Sequence, residues 1–220
     1  MKTTQMQSCV HENGTVECTL VEVELPEPGP DEVMVEIEAA PINPSDLGLM
    51  FGAADLSTVR TAERDGQPAV LLDVPDAAMR AMAPRIGQWM AVGNEGSGRV
   101  IAAGDSHAAQ ALIGQRVGMF GGEMYAGHRC LPASQCMAFP ERISAEQAAS
   151  CFVNPMTALG FMETRSMEGQ QAIVHTAAAS NLGQMLLRLS QADGVPLVNI
   201  VRSDEQVELL KSMGAEWVLN

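Results

Sequence analysis

The sequence predicts an α/β chain, with a β-rich N-terminal domain over residues 1–150 and the first half of a doubly wound parallel sheet over 151–220. Three observations carry this. Short apolar or alternating segments separated by Pro and Gly turns fill the chain up to about Pro140. A buried strand, a tight turn of small residues, a helix and a second apolar strand then follow one another within 171–199. A further helix and a short third strand over 216–219 continue the same alternation.

Residues 16–25 and 32–40 read as strands, with Pro26, Pro28, Gly29 and Pro30 marking the turn between them. Val33, Val35 and Ile37 share one face of the second strand. Met34 breaks the alternation, which implies that part of the other face is covered too. The loop Pro41-Ile42-Asn43-Pro44-Ser45-Asp46 leads into a short helix through Met50, with Ser45 or Asp46 as its cap. Residues 53–90 carry the weakest pattern: a loop-like then strand-like stretch, and a helix over 75–82 with Pro at its start. Strands are expected at 99–103 and in Gly114–Gly122, followed by short strands and Pro turns. Ser144 caps a helix with Gln147 in its first turn, and 155–162 is helical. Asp204 is expected to cap the last helix, over 204–213, with Gly214 ending it.

Composition bounds the function. A chain of 220 residues, 46% hydrophobic and 18% charged, describes a folded globular protein. A net charge of −14 disfavours nucleic acid, because phosphate contacts need clustered Lys and Arg. The N-terminus lacks the apolar core of a signal peptide, and no run is long and apolar enough to span a bilayer. Five scattered cysteines without a Cys-x-x-Cys argue for reduced thiols in a cytoplasmic setting.

The chemistry-bearing stretch is the turn from Ala177 to Gly183. Strand 172–176, this turn and the helix opened by Asn181-Leu182-Gly183 have the order of a dinucleotide-binding unit, where a pyrophosphate meets small residues and the positive end of a helix. Ala178, Ser180 and Gly183 stand at the three positions of the Gly-x-Gly-x-x-Gly fingerprint, a diluted match that an ordinary strand-to-helix turn also satisfies. At the end of the next strand, Arg202 comes first and Asp204 later. An acidic residue there binds the ribose 2′-hydroxyl of NAD, whereas Arg pairs with the 2′-phosphate of NADP. The order favours NADPH, with NADH as the alternative cofactor and an exposed surface Arg as the plain structural reading.

Asn43-Pro44-Ser45-Asp46, Gly93-Asn94-Glu95-Gly96, Gly114-Gln115-Arg116-Val117, Asn154-Pro155-Met156-Thr157-Ala158, the Ala177-to-Gly183 turn and Met213-Gly214-Ala215 occur in one order along the chain. In that order they resemble the medium-chain dehydrogenase/reductase superfamily, most closely its zinc-free quinone oxidoreductase and 2-enoyl thioester reductase branch. The resemblance implies a GroES-like substrate domain at 1–150 and a Rossmann domain at 151–220, with substrate held between them beside the nicotinamide. It also implies that a complete member continues past Asn220 and is a homodimer. The expected activity is hydride transfer from NADPH to a small molecule, a quinone or an activated C=C.

The zinc dehydrogenases of the superfamily hold their metal with a Cys and a His-Glu pair at positions that here resemble Asn43 and Asn94-Glu95. Amides are poor zinc ligands and His11, His107, His128 and His175 lack ligand spacing, so the expectation is no zinc. By resemblance, Asn154 and Thr157 contact the cofactor together with Ala178, Ser180, Asn181, Leu182, Gly183 and Arg202. Thr157, Tyr125, Asn43 and Asn94 are the candidates for catalysis. The enoyl thioester reductases carry a Tyr soon after the first loop; here Phe51-Gly52-Ala53 occupies that neighbourhood and Tyr125 is the only tyrosine. A Tyr in a β domain also reads as a packed side chain with a satisfied hydroxyl. A non-catalytic nucleotide-binding protein and an inactive fragment of the same fold remain as alternatives.

Overall fold

A computed structural model describes residues 1–220, which divide into two compact units, Met1–Ser150 and Cys151–Asn220. In chain order the first unit contains β1 (Lys2–Val10), β2 (Thr15–Glu24), β3 (Glu32–Ala39), α1 (Pro44–Phe51), β4 (Asp55–Arg64), β5 (Gln67–Asp73), α2 (Asp76–Met82) and β6 (Met90–Ala91). It continues with β7 (Glu95–Ala103), α3 (His107–Gln110), β8 (Arg116–Phe120), β9 (His128–Pro132), β10 (Cys136–Phe139) and α4 (Ala145–Ala149). The second unit contains α5 (Val153–Met167), β11 (Ile173–His175), α6 (Asn181–Asp193), β12 (Leu197–Ile200), α7 (Asp204–Ser212) and β13 (Trp217–Leu219). No helix is long and apolar enough to cross a membrane.

The first unit is two antiparallel sheets, ordered β4-β5-β2-β1-β6 and β10-β8-β7-β3-β9. Tyr125 and Gly127 stitch them together: Met6 N donates to the Tyr125 carbonyl (2.8 Å), Gly127 N to Thr4 O (3.0 Å), and Ile37 N to Gly127 O (2.9 Å). Val33, Val35, Val100, Val117, Met119 and Leu131 pack the core beneath the second sheet. Met34 is buried as well, so both faces of β3 are covered, as its broken alternation implies.

Two elements correct the sequence reading. β1 carries no apolar alternation because it turns Thr3, Gln5 and Ser8 inward; the Ser8 hydroxyl donates to Met50 O (2.5 Å) and so ties the strand to α1. Residues 55–73 are not a loop followed by a strand but a hairpin, β4–β5, closed by Asp65 (φ 51°) and Gly66 (φ 78°). Both central residues sit in the left-handed region, the backbone of an Asp-Gly hairpin turn. The strand expected at 99–103 begins earlier, at Glu95, and the helix expected at 155–162 runs from Val153 to Met167. Ser144 caps α4 with Gln147 returning the bond, as the capping-box spacing predicts.

Residues following the hairpin fold back on α1. Arg85 donates to two carbonyls in the last turn of the helix, Leu49 (2.6 Å) and Gly48 (3.1 Å), the latter also accepting from Gly52 N (3.0 Å). On the other face, Arg64 at the end of β4 lies 4.3 Å above the Trp89 ring and pairs with Glu17 (3.4 Å). Arg64 thus ties the end of the hairpin to β2 and to Trp89.

The second unit is a parallel sheet in the order β11-β12-β13, with α6 and α7 as crossovers. Leu186, Leu187, Leu197, Leu210 and Ala158 form its core. Gly194 (φ 66°) ends α6 in the left-handed conformation, which frees the chain to turn into β12.

Candidate functional site

The parallel strands β11 and β12 finish side by side, and a cavity of about 520 Å³ opens beyond their C-terminal ends. Open α/β sheets bind ligands at that end of their strands. Thr176, Ala177 and Ser180 line it from the first turn, and Val201, Arg202 and Gln206 from the second. Ser180 is the N-cap of α6 and its hydroxyl accepts from Gly183 N (3.2 Å). Asn181 and Leu182, the first helical residues, have no carbonyl one turn back within the helix, so their N–H groups are the donors offered to an anion. Ala178 is fully buried under the turn. A methyl group added at Gly183 would land on the Ala178 carbonyl, so only glycine allows the helix to approach the preceding turn so closely. Ala177 holds φ at 53°, a left-handed conformation costly to a residue with a Cβ, and it does so at the cavity wall.

Arg202 is exposed at the mouth, and its backbone N–H donates to Gln206 Oε1 (3.2 Å). The cap of α7 is Ser203, whose hydroxyl accepts from Gln206 N (3.4 Å), and not Asp204, which stands in the first turn and accepts from Asn220 Nδ2 (2.8 Å). Serine one residue earlier meets the required extended backbone at the end of β12. Ser180 and Arg202 are therefore brought to one cavity. Asn154 and Thr157 stand on the first turns of α5 and are not among its lining residues. The Thr157 hydroxyl donates to Val153 O (2.6 Å), a bond back to the preceding turn. Thr176 and Gln206 are cavity residues that the sequence reading missed. Gln206 had a signal, since Ser203-x-x-Gln206 has the spacing of a capping box.

The first unit holds a polar cluster at the start of α1. The helix cap is Asn43, neither Ser45 nor Asp46: Pro44 fills the first helical position, and Asp46 at the third reaches back to accept from Asn43 N (2.7 Å). The second Asp46 oxygen accepts from Asn94 N (2.8 Å), so this fully buried carboxylate joins the loop before α1 to the loop before β7. Asn43 Nδ2 donates to Glu95 Oε1 (2.9 Å), also fully buried, and Asn94 Nδ2 donates to Ser45 Oγ (2.9 Å). The Tyr125 hydroxyl donates to Pro41 O (2.8 Å). Burial, and then the facing Asp46 carboxylate, push its ionisation well above that of an ordinary phenol. Asn43, Asn94 and Tyr125 thus belong to one network, with Asp46 as a hub that the sequence reading treated only as a possible cap.

Elsewhere, His11 bonds Glu17 (2.8 Å) and His175 bonds Asn199 (3.0 Å). No three His, Cys, Asp or Glu side chains gather as a metal-binding group.

Two antiparallel sheets followed by a parallel βαβαβ unit with a cavity at its strand ends define an alcohol dehydrogenase-like α/β protein. Residues 29–182 match the alcohol dehydrogenase GroES-like domain family, and the chain belongs to that family. Among similar proteins is a mitochondrial enoyl-[acyl-carrier-protein] reductase of Caenorhabditis elegans, 28% identical over 204 residues, covering 89% of this chain and 50% of that one. The enzyme of the same name from Rattus norvegicus is 25% identical, over 86% of this chain and 44% of its own. Among solved structures, a putative NADPH:quinone reductase from Mesorhizobium loti superposes with a TM-score of 0.71 at 25% identity, covering 100% of this chain and 60% of that one. Escherichia coli quinone oxidoreductase, solved with NADPH, gives 0.68 at 20% identity, over 99% and 58%, and so shares the fold. The chain spans about half the length of the curated relatives it matches.

Proposed function

We propose that this chain serves an NADPH-dependent oxidoreductase that works without zinc and passes hydride to a quinone or to an activated C=C, an enone or an enoyl thioester. The observation that carries the reading is the cavity between Ser180 at the head of α6 and Arg202 after β12. Its donors suit a pyrophosphate and its guanidinium suits a 2′-phosphate; the close Gly183–Ala178 approach supplies the narrow turn such a ligand needs. In this reading residues 151–220 hold the nucleotide and residues 1–150 hold the acceptor.

The nicotinamide supplies the hydride chemistry when bound. Asn181 and Leu182 N–H groups hold the pyrophosphate, and Arg202 pairs with the 2′-phosphate while Gln206 fixes its backbone. Asn94 offers a side-chain amide at the edge of the polar cluster as a donor to the developing oxyanion. Asn43 is held by Glu95 and Asp46, so its part is to fix the loop that carries that cluster. Tyr125, kept protonated at neutral pH, has a proton to give, and giving it requires the hydroxyl to leave Pro41 O. Thr157 meets the cofactor only if its hydroxyl leaves Val153 O.

Those two bonds favour a second reading, a protein that binds the nucleotide without turnover. Oxidation of NADPH in the presence of 1,4-benzoquinone or but-3-en-2-one separates the two. Turnover that depends on Asn94 and Tyr125 supports the oxidoreductase. Saturable NADPH binding with no oxidation of either acceptor supports the second reading and overturns the first.

A further inference from the structure

The cavity between Ser180 and Arg202 has one more polar side chain in its wall, Gln206, and the hydrogen bonds of that residue fix which end of its amide a ligand meets. Two helices of the chain open on the same Ser-x-x-Gln spacing, Ser144 to Gln147 and Ser203 to Gln206. At α4 the pair closes on itself: Gln147 Oε1 accepts from Ser144 N (2.9 Å), the usual return bond of a capping box. At α7 the Ser203 hydroxyl accepts from Gln206 N (3.4 Å), but Gln206 Oε1 reaches one residue further back and accepts from Arg202 N (3.2 Å). Ser203 is fully extended at φ −156°, where Ser144 has φ −70°, and the N–H that the glutamine meets is then that of Arg202. A backbone N–H can be met only by the amide oxygen, so this bond sets the orientation of the amide. The Nε2 group, which carries N–H donors and no acceptor, is the end left for a ligand.

The charge around the cavity is selective. In a chain with 27 Asp and Glu against 13 Lys and Arg, no carboxylate lines this cavity and one guanidinium does. Asp204 and Glu205 lie between Arg202 and Gln206 in sequence, yet both are exposed outside the lining, and Asp204 is bonded to Asn220 Nδ2 (2.8 Å). Arg202 and Gln206 are thus joined by a backbone bond, and their side chains offer only donors. That pairing suits a phosphate and does not suit a ribose 2′-hydroxyl, which needs an acceptor for its proton.

We propose that Gln206 is a second specificity-determining residue of this cavity: its Nε2 donates to the 2′-phosphate of a bound adenosine beside the Arg202 guanidinium, while its Oε1 holds the backbone of that arginine. The inference rests on the nucleotide-binding part of the oxidoreductase reading. Its test uses adenosine 2′,5′-bisphosphate and adenosine 5′-monophosphate, which differ only by the 2′-phosphate, titrated calorimetrically into the 220-residue chain. In Gln206→Glu a carboxylate keeps the bond from Arg202 N and suits the first turn of a helix, but the donor becomes a negative acceptor. The melting temperature of this variant should equal or exceed that of the wild type. Affinity for the bisphosphate should fall about tenfold or more, and affinity for the monophosphate should rise about threefold as the 2′-hydroxyl gains an acceptor. Gln206→Ala, which loses both the backbone bond and the donor, should weaken the bisphosphate and leave the monophosphate unchanged.

A glutamine that only fixes the backbone predicts the wild-type preference in Gln206→Glu, and that result overturns the proposal. Loss of the bisphosphate with no gain of the monophosphate overturns it too, since a repulsive charge alone produces that. If the preference vanishes in Arg202→Ala but survives in Gln206→Glu, the reading of the cavity stands and the role of Gln206 falls. No preference in the wild type overturns both. The inverted preference in a chain that oxidises no NADPH keeps Gln206 in its role and removes the oxidoreductase reading instead.

Discussion

At the scale of single residues, Asp46 and Tyr125 carry the most testable physics. Asp46 accepts two backbone N–H bonds while fully buried. Asp46→Asn keeps one acceptor oxygen and sets an NH₂ against an N–H, so stability should fall by about 1–3 kcal/mol in a denaturant melt. Tyr125 is the only tyrosine, so ultraviolet titration of phenolate reads this group alone. Its folded pKa lies above the unfolded value near 10 because of burial and Asp46. The stability this contributes is fully present below pH 10 and is lost as pH rises through the folded pKa. Phenolate should appear only with alkaline unfolding in the wild type, and at lower pH in Asp46→Asn. A normal phenol titration in the folded wild type would show that Tyr125 is solvated. The motif Asn43-Pro44-Ser45-Asp46 was legible, but the roles within it were not. Local spacing finds the cap, whereas the bonds to Asn94 and Glu95 span about 50 positions and depend on how β7 meets α1.

At the scale of elements, the turn between β11 and α6 concentrates two opposite backbone demands. Gly183→Ala drives a methyl into the Ala178 carbonyl and should both lower stability and weaken NADPH binding at least tenfold. Ala177→Gly relieves a left-handed alanine and should stabilise the fold by about 1 kcal/mol. Thermal melts of the two variants check this, and equal shifts of the same sign would refute the geometry. The β11–α6–β12–α7–β13 order was readable because apolar runs, Ser caps and Gly stops coincide there. β1 and the β4–β5 hairpin were not, for two different reasons. β1 buries polar side chains, and β4 lies at a sheet edge with most of its residues exposed, so neither shows a two-residue alternation. Only the Asp65-Gly66 pair marked the hairpin.

At the scale of the whole molecule, each unit has its own core and one tryptophan: Trp89 in Met1–Ser150 and Trp217 in Cys151–Asn220. Trp89→Phe and Trp217→Phe therefore leave reporters of single units. NADPH should raise the melting transition seen by Trp217 by several degrees and leave that seen by Trp89 nearly in place. An equal shift of both would mean that the units unfold as one. The same division frames the central claim, which is that the cavity between Ser180 and Arg202 selects a 2′-phosphorylated dinucleotide. Calorimetric titration of the purified chain with NADPH and NADH, in the wild type and Arg202→Ala, tests it most directly. The account predicts saturable NADPH binding at least tenfold tighter than NADH, with the two made equal by Arg202→Ala. No saturable binding of either nucleotide by the folded chain, or a preference that Arg202→Ala leaves untouched, would contradict it.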